Sequence, residues 1–256
     1  MKIPLPRKEY EILLCHVYQI TPTELYAHPE RYDTENQTLQ QLIERRLNNE
    51  PIAYLVGYQP FLGLKFFVDQ SVLIPRPETE ILAQLAIDLN PKTAADIGTG
   101  SGAIAISLAK NLPEAKVIGI DSSPEAFKLA RKNADYHQVT ARCRFMEGHL
   151  LDPLAEKVDL IVSNPPYIPK REIDKLEPQI RDFEPREALD GGEDGLHYIR
   201  QLIENSPEYL NPNGHLLMEF GFGQSDKIAE LARRSFHQTE IIKDLSGIDR
   251  ILRASQ

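Results

Sequence analysis

The sequence predicts an α/β protein: a doubly wound, mostly parallel sheet that follows a small helical domain. Three observations predict it. From residue 94 onward, short apolar runs alternate with stretches of helical period, and that alternation implies βαβ units with helices on both faces of a sheet. The first run leads into the glycine-rich turn "DIGTGSGAIA", a strand–turn–helix junction suited to a ligand. Before residue 58 the pattern is helical, and over 59–75 it shifts to aromatic and β-branched residues. The expected division is a helical domain over 1–58, a β-hairpin or extended linker over 59–75, and the sheet domain over 76–256.

The elements follow in order. In "KEYEILLCHVYQI", Ile12, Leu13, Leu14, Val17 and Ile20 share one helix face. "TPTELYAHPE" places Thr21 as a cap, proline first in the helix and Glu24 three residues on, the pattern of a capping box. "TLQQLIERRL" gives a stripe through Leu39, Leu42, Ile43 and Leu47, and "EPIAYLVG" ends at Gly57, a C-cap. Within "FLGLKFFVDQSVLIP", Gly63 and Asp69-Gln70 supply turns. "RPETEILAQLAIDL" opens a helix with Pro77, Glu78 and Glu80, favourable at a helix N-terminus. Strands are then expected at "TAADIG", "KVIGID", "CRFMEG", "DLIVSN", "GHLLMEFG", "TEIIKDL" and "DRILRA". Helices are expected at "GAIAISLAKNL", "SPEAFKLARKNADYH" (capped by Ser123), "GLHYIRQLIENSPEYL" and "QSDKIAELARRS".

The totals exclude several classes. The 256 residues suffice for one large domain with a smaller companion. The formal charge is −9, and both residues 1–70 and 71–256 are acidic, unlike a nucleic-acid footprint. Cys15 and Cys143 are too few for a disulfide framework and are expected as buried free thiols. The seven histidines lack ligand spacing, so no metal site is expected. The start is broken by prolines and charge, unlike a secretory signal, and no run of about 18 apolar residues spans a membrane. A cytoplasmic location is expected.

Gly98, Gly100 and Gly102 lie between the first strand and helix of the sheet, where backbone can approach a ligand closely. The third glycine comes one residue early for the G-x-G-x-x-G dinucleotide fingerprint, and no G-K-[ST] follows. Asp121 ends the next strand, 25 positions after Asp96, placed to accept from ribose hydroxyls. Together these imply a nucleoside-bearing cofactor, and leave both NAD and S-adenosylmethionine open.

"NPPY", Asn164 to Tyr167, ends the fourth strand of the sheet, which delivers its last residue to the cleft beside the switch point. Asn164 offers a carbonyl acceptor and two N–H donors. Pro165 has no N–H and adds a carbonyl acceptor, and Tyr167 adds a ring face. Two acceptors beside a stacking face match a planar –C–NH2 group. Such a nitrogen is a weak nucleophile, and acceptors on its N–H bonds orient it and raise its electron density.

At this point the chain resembles the release factor glutamine methyltransferases, the HemK-type protein-(glutamine-N5) methyltransferase family. The likeness rests on "RRLNNEPIAYLVGYQPFLGLKFFV", "VLIPRPETE", "DIGTGSGAIAISLA", "VIGIDSSPEA", "VSNPPYIP", "EPREALDGGEDGL" and "LNPNGHLLMEFGFGQ", and so covers nearly the whole chain. It implies a Rossmann-like, seven-stranded S-adenosylmethionine-dependent methyltransferase sheet, joined through a β-hairpin to an N-terminal helical domain that recognises the substrate. It implies methyl transfer to the side-chain amide of the glutamine in the Gly-Gly-Gln motif of peptide-chain release factors, with no nucleic acid bound directly and no membrane. Carried over by motif, Gly98, Thr99, Gly100, Ser101 and Gly102 line the cofactor, Asp121 holds its ribose, and His149 and Leu150 border its adenine. Asn164, which also touches the cofactor, and the Pro165 carbonyl bind the substrate amide, and Pro166 and Tyr167 shape its pocket. Phe61 and the Pro75-Arg76-Pro77 turn close the site from the linker side. One departure is His149, where the family usually has an acidic residue in "GDL". The rivals are glutamine methylation of a ribosomal protein, N-methylation of a nucleobase amino group, a non-catalytic module docking on translation factors, and NAD-dependent oxidoreduction.

Overall fold

The computed structural model describes residues 5–256; the first four residues of the 1–58 segment lie outside the described residues. Its N-terminal part holds α1 (Arg7–Tyr18), α2 (Pro22–Ala27), α3 (Gln37–Leu47) and α4 (Ile52–Val56). Thr21 and Glu24 form a reciprocal capping box: the Thr21 hydroxyl accepts from the Glu24 N–H at 3.2 Å, and the Glu24 carboxylate accepts from the Thr21 N–H at 2.8 Å. Gly57 closes α4 in the left-handed region at φ 77°. Leu13, Leu14, Leu39, Leu42, Ile43 and Leu55 share one apolar cluster. Tyr10 joins that core, while Ile12, Val17 and Ile20 are only partly buried against it. The stripe expected through Leu47 stops at Ile43, because Leu47 stands on the last turn of α3, 54% exposed.

Two strands follow, β1 (Tyr58–Phe61) and β2 (Leu64–Phe67), paired antiparallel. Leu62 and Gly63 turn between them at φ 46° and 73°, the positive angles that match strand twist in a two-residue hairpin. Phe61 and Phe66 meet edge-on at 6.0 Å and are buried with Leu82, Ala83 and Ala86 of α5 (Pro77–Asp88).

The remaining elements are β3 (Thr93–Ile97), α6 (Ala103–Asn111), β4 (Lys116–Asp121), α7 (Pro124–Tyr136), β5 (Cys143–Glu147), β6 (Val158–Ser163), α8 (Lys170–Ile173), α9 (Pro178–Arg181), α10 (His197–Tyr209), β7 (Leu210–Glu219), α11 (Ser225–Ser235), β8 (Gln238–Lys243) and β9 (Asp249–Ser255). Seven of the strands form one sheet in the order β5-β4-β3-β6-β7-β9-β8. β9 pairs antiparallel with both β7 and β8, and the other pairings are parallel. Two apolar clusters cover the sheet, one with α5 and α6 and the other with α10 and α11. Cys143 is buried and Cys15 half-buried, both free.

Asn133 of α7 ties hairpin to sheet. Its Oδ1 accepts from the Phe67 N–H at 2.8 Å, and its Nδ2 donates to the carbonyls of Phe67 at 3.0 Å and Ser101 at 2.8 Å. A single buried amide thus completes the hairpin's outer edge and steadies the glycine loop. Because β3 has β4 on one side and β6 on the other, the strand order reverses there, and a crevice opens beyond the carboxyl ends of those strands.

Candidate active site

A cleft of about 520 Å³ fills that crevice, lined among others by Gly98, Gly100, Asp121, Leu150 and Asn164. Its size falls within the several hundred Å³ usual for small-molecule sites. Gly98 and Gly100 adopt φ 70° and 54°, and a Cβ on either would meet nothing within 4 Å. The backbone there is left-handed and bare, so a ligand can lie directly on it. Asp121 braces this loop: one carboxylate oxygen accepts from the Gly100 N–H at 2.8 Å, the other from the Ser123 N–H at 2.9 Å. Each oxygen keeps a further lone pair. Burial pushes the Asp121 carboxyl above its usual range, against the pull of those backbone donors. Behind the loop, Asp96 is 1% exposed, accepts from the Thr99 hydroxyl at 2.6 Å and the Ala105 N–H at 3.1 Å, and is lifted by burial to about 7.

The NPPY segment forms the opposite wall. Ser163 ends β6 with its hydroxyl donating to the Ile97 carbonyl at 2.7 Å, so Asn164 emerges beside the glycine loop. The Asn164 Nδ2 donates to Thr79 Oγ1 at 3.0 Å. Thr79, buried on α5, donates to Glu219 Oε2 at 2.7 Å, and the Tyr167 hydroxyl donates to Glu219 Oε1 at 3.3 Å. Neither the Asn164 Oδ1 nor the Pro165 carbonyl receives a hydrogen bond among the described residues. Glu219, 1% exposed at the end of β7, is lifted by burial to about 7, opposed by its two hydroxyl donors and by the charge of Arg250.

The "DGG" of "EPREALDGGEDGL" supports this wall from behind. The Ile168 N–H donates to the Leu189 carbonyl at 3.0 Å, and the Gly191 N–H to the Ile168 carbonyl at 2.9 Å. A Cβ at Gly191 would stand 2.8 Å from the Gly195 and Pro166 carbonyl oxygens and from Tyr167 Cα. Gln224 Nε2 donates to the Tyr167 carbonyl at 3.0 Å. On the far side of Tyr167 a second hollow, about 550 Å³, is rimmed by Lys175, Lys227 and Phe222, whose ring is 82% exposed.

The structure gathers most of the sequence-expected residues here. Gly98, Thr99, Gly100, Ser101, Asp121, His149, Leu150, Asn164 and Pro166 line the cleft. Gly102 does not: it is the N-cap residue before α6, and a Cβ there would press on Ile106 at 2.9 Å and Phe145 at 3.2 Å, so its smallness serves packing. Pro165 is buried beside the cleft, and Tyr167 borders the second hollow. Phe61 is 1% exposed inside the hairpin core and forms no wall, because its strand turns it toward α5. The linker's contribution comes instead from Ser71, Val72, Leu73 and Pro75. Arg76 turns away to an ion pair with Glu184. His149 stacks at a tilt against Tyr198 of α10, their rings 6.2 Å apart. Tyr198, Thr79 and Glu219 have no place in the expected site. One signal points to Glu219: Ser163 pairs with Met218 in the parallel register of β6 and β7, which brings the next residue of each strand, Asn164 and Glu219, together.

These residues fit a nucleoside carrying a positively charged amino-acid end. A half-buried carboxylate with spare lone pairs suits a hydroxyl pair, the bare glycine backbone suits close approach, and Leu150, Ile120 and Val72 supply apolar walls. No helix is long and apolar enough to cross a membrane, and no cluster of three or more metal-binding side chains occurs, among the described residues.

Comparison with known proteins agrees. The family model described as methyltransferase small domain matches residues 77–178, and that of the PrmC N-terminal domain matches residues 1–57. The release factor glutamine methyltransferase of Geobacter sulfurreducens is 47% identical over 215 residues, 82% of this chain and 75% of that protein. The enzyme of the same description from Thermodesulfovibrio yellowstonii is 40% identical over 254 residues, 96% of this chain and 91% of that protein. The crystal structure of a methyltransferase from Pyrococcus furiosus superposes with a TM-score of 0.60 at 20% identity, over 83% of this chain and 96% of that one, a likeness of fold.

Proposed function

Since the chain belongs to the release factor glutamine methyltransferase family and is a methyltransferase, we propose that it transfers a methyl group from S-adenosylmethionine to the side-chain amide nitrogen, N5, of the glutamine in the Gly-Gly-Gln motif of peptide-chain release factors. The observation that carries this reading is the pair of unpartnered acceptors, Asn164 Oδ1 and the Pro165 carbonyl, beside the cleft of the glycine loop and Asp121.

When bound, S-adenosylmethionine supplies an electrophilic methyl on a sulfonium. Gly98, Thr99, Gly100 and Ser101 hold its amino-acid end, Asp121 accepts from its ribose hydroxyls, and His149, Leu150 and Tyr198 border the base. The two acceptors take the two N–H bonds of the substrate amide. That fixes the nitrogen and raises its electron density, and orientation of this kind lowers barriers by several kcal/mol. Pro166 and Tyr167 shape the space around the amide and exclude water. In a dry site the dispersal of the sulfonium charge on transfer is favourable. A proton that leaves the methylated nitrogen for solvent only after transfer, with the neutral thioether as the other product, would need no strong base. Residues 1–58, with an apolar cluster of their own, serve as the substrate-recognition domain, and 59–75 join it to the sheet domain of 76–256.

Mass spectrometry of a purified release factor after incubation with the protein and S-adenosylmethionine tests this. One added methyl on the motif glutamine is expected, and none when that glutamine is replaced. Equal labelling of both forms defeats the reading, and label found instead in ribosomal protein or RNA of a cell extract redirects it.

A further inference from the structure

An acceptor at Asn164 requires its amide to be turned one way. The oxygen and NH2 ends of a side-chain amide are nearly the same size, so shape alone does not choose between them. With NH2 toward the cleft, Asn164 would meet a substrate amide donor to donor.

The hydrogen-bond chain behind Asn164 makes the choice. An ionised carboxylate accepts only. With Glu219 ionised, the single hydroxyl protons of Thr79 and Tyr167 both point at it, at 2.7 Å and 3.3 Å. The Thr79 oxygen is then left as an acceptor. Only the NH2 end of Asn164 satisfies it, at 3.0 Å, so Oδ1 faces the cleft. We propose that Thr79 and Glu219 are positioning residues that act through Asn164, setting its amide so that the carbonyl end receives the N–H of the group to be methylated. This rests on the amide-methylating function proposed above.

The chain is reversible. A protonated Glu219 can donate to Thr79, which frees the Thr79 hydroxyl to donate toward Asn164 and turns the NH2 end outward. Glu219 faces Thr79, with Glu78 also on α5, Tyr167 on the NPPY loop and Arg250 on β9. Glu78 and burial favour its protonated form, and Arg250 and the two hydroxyls its ionised form.

Two measurements test this. In the first, release factor and S-adenosylmethionine are turned over by wild type, Thr79→Val, Thr79→Ser, Asn164→Ala and the double variant Thr79→Val/Asn164→Ala. Thr79→Val is expected to lower kcat about ten- to a hundredfold, the scale of a small misplacement, with S-adenosylmethionine affinity within about twofold by calorimetry. Thr79→Ser restores the rate, and in the Asn164→Ala background Thr79→Val changes nothing further. In the second, the Asn164 side-chain NH2 signal of the ligand-free protein, identified by its loss in Asn164→Ala, is followed by ¹H–¹⁵N NMR against pH. It is expected to shift with a midpoint near 7 in wild type and not in Glu219→Gln. The inference is overturned if Thr79→Val keeps the wild-type kcat, if Thr79→Ser loses as much as Thr79→Val, or if the NH2 signal titrates alike in Glu219→Gln. A wild type that fails to methylate the release factor defeats the proposed function instead, and the NMR titration still decides the positioning role.

Discussion

Arg76 and Glu184, 108 positions apart in sequence, form an ion pair between the linker and the loop before "PREALDGG". The Glu184 side chain is 1% exposed and that of Arg76 28%, and the second Glu184 oxygen accepts from the Ile74 N–H at 3.3 Å. The pair fastens the strap that brings Ser71 to Pro75 into the cleft onto the loop that brings Pro185 and Ala188. Glu184→Ala leaves Arg76 unpaired and half-buried and orphans a backbone donor. It should lower stability by about 2 kcal/mol, below the value for a fully buried pair because Arg76 keeps some water. Urea unfolding reads this, and calorimetry should show weaker S-adenosylmethionine binding; unchanged values for both would mean that the strap holds without the pair.

Asn164→Ala should lower kcat about 10²- to 10³-fold, as for loss of one preorganised polar group. Its Kd for S-adenosylmethionine should stay within about threefold, since the glycine loop and Asp121 are untouched. Methyl incorporation and calorimetry on the same preparation separate the two, and a matching loss of binding would place Asn164 in the fold rather than the chemistry.

Gly191→Ala puts a methyl group against three backbone atoms at 2.8 Å. Backbone cannot swing aside as a side chain does, so a loss of about 1–3 kcal/mol is expected. Displacement of Pro166 and Tyr167 should also reduce kcat. A variant as stable and active as wild type would show that the NPPY loop does not need its support.

Phe61→Ala should cost about 3–5 kcal/mol through the cavity it leaves beneath α5. At temperatures where the variant is folded, S-adenosylmethionine affinity should be unaltered, because Phe61 forms no wall of the cleft. A selective loss of affinity at unchanged stability would return it to the site.

The contribution of Asp96 and Glu219 to stability should fall as pH rises from about 4 to about 7 and level off above that, against an opposite contribution from His16 and His215, whose charged forms burial disfavours. Burial lifts both Asp96 and Glu219 to about 7, from 3.8 and 4.5. Within that window the folded chain holds protons that the unfolded chain has released, so unfolding gains as pH rises. Urea midpoints at pH 5, 6, 7 and 8 should therefore decline relative to those of Asp96→Asn and Glu219→Gln, which keep the histidines and lose one of the two carboxyls. A wild-type profile parallel to that of both variants would show that these carboxyls are ionised throughout.

Local chemistry made the glycine loop, Asp121 and Asn164 legible in the sequence. Each sits at a strand end or turn, where a few neighbours decide the geometry. The capping box at Thr21 was legible for the same reason. Thr79 and Glu219 were not, since one is an ordinary-looking helix residue and the other a single acid at the end of an apolar strand. They meet 140 positions apart, and only the pairing of β6 with β7 and the seating of α5 on the sheet join them. Phe61 misled because an aromatic residue near a site can equally fill a core, and strand direction alone separates the two. Leu47 misled because period continues to a helix end whether or not anything packs there.

The position of β9 shapes how the chain is made. Every other strand of the sheet precedes it in synthesis, yet it belongs inside the sheet, between β7 and β8. Until it arrives, β7 is an open edge with Leu216, Leu217 and Met218 along it, the kind of edge that recruits other chains. β8 and β9 are neighbours in sequence and pair with each other, so they can dock as one hairpin and close that edge in a single step. Glu219 pairs with Ile251 of β9. Glu219, hydrogen-bonded through Thr79 to Asn164, is therefore secured only when β9 docks, so this wall of the cleft is completed after β3, β4 and β6 have already come together.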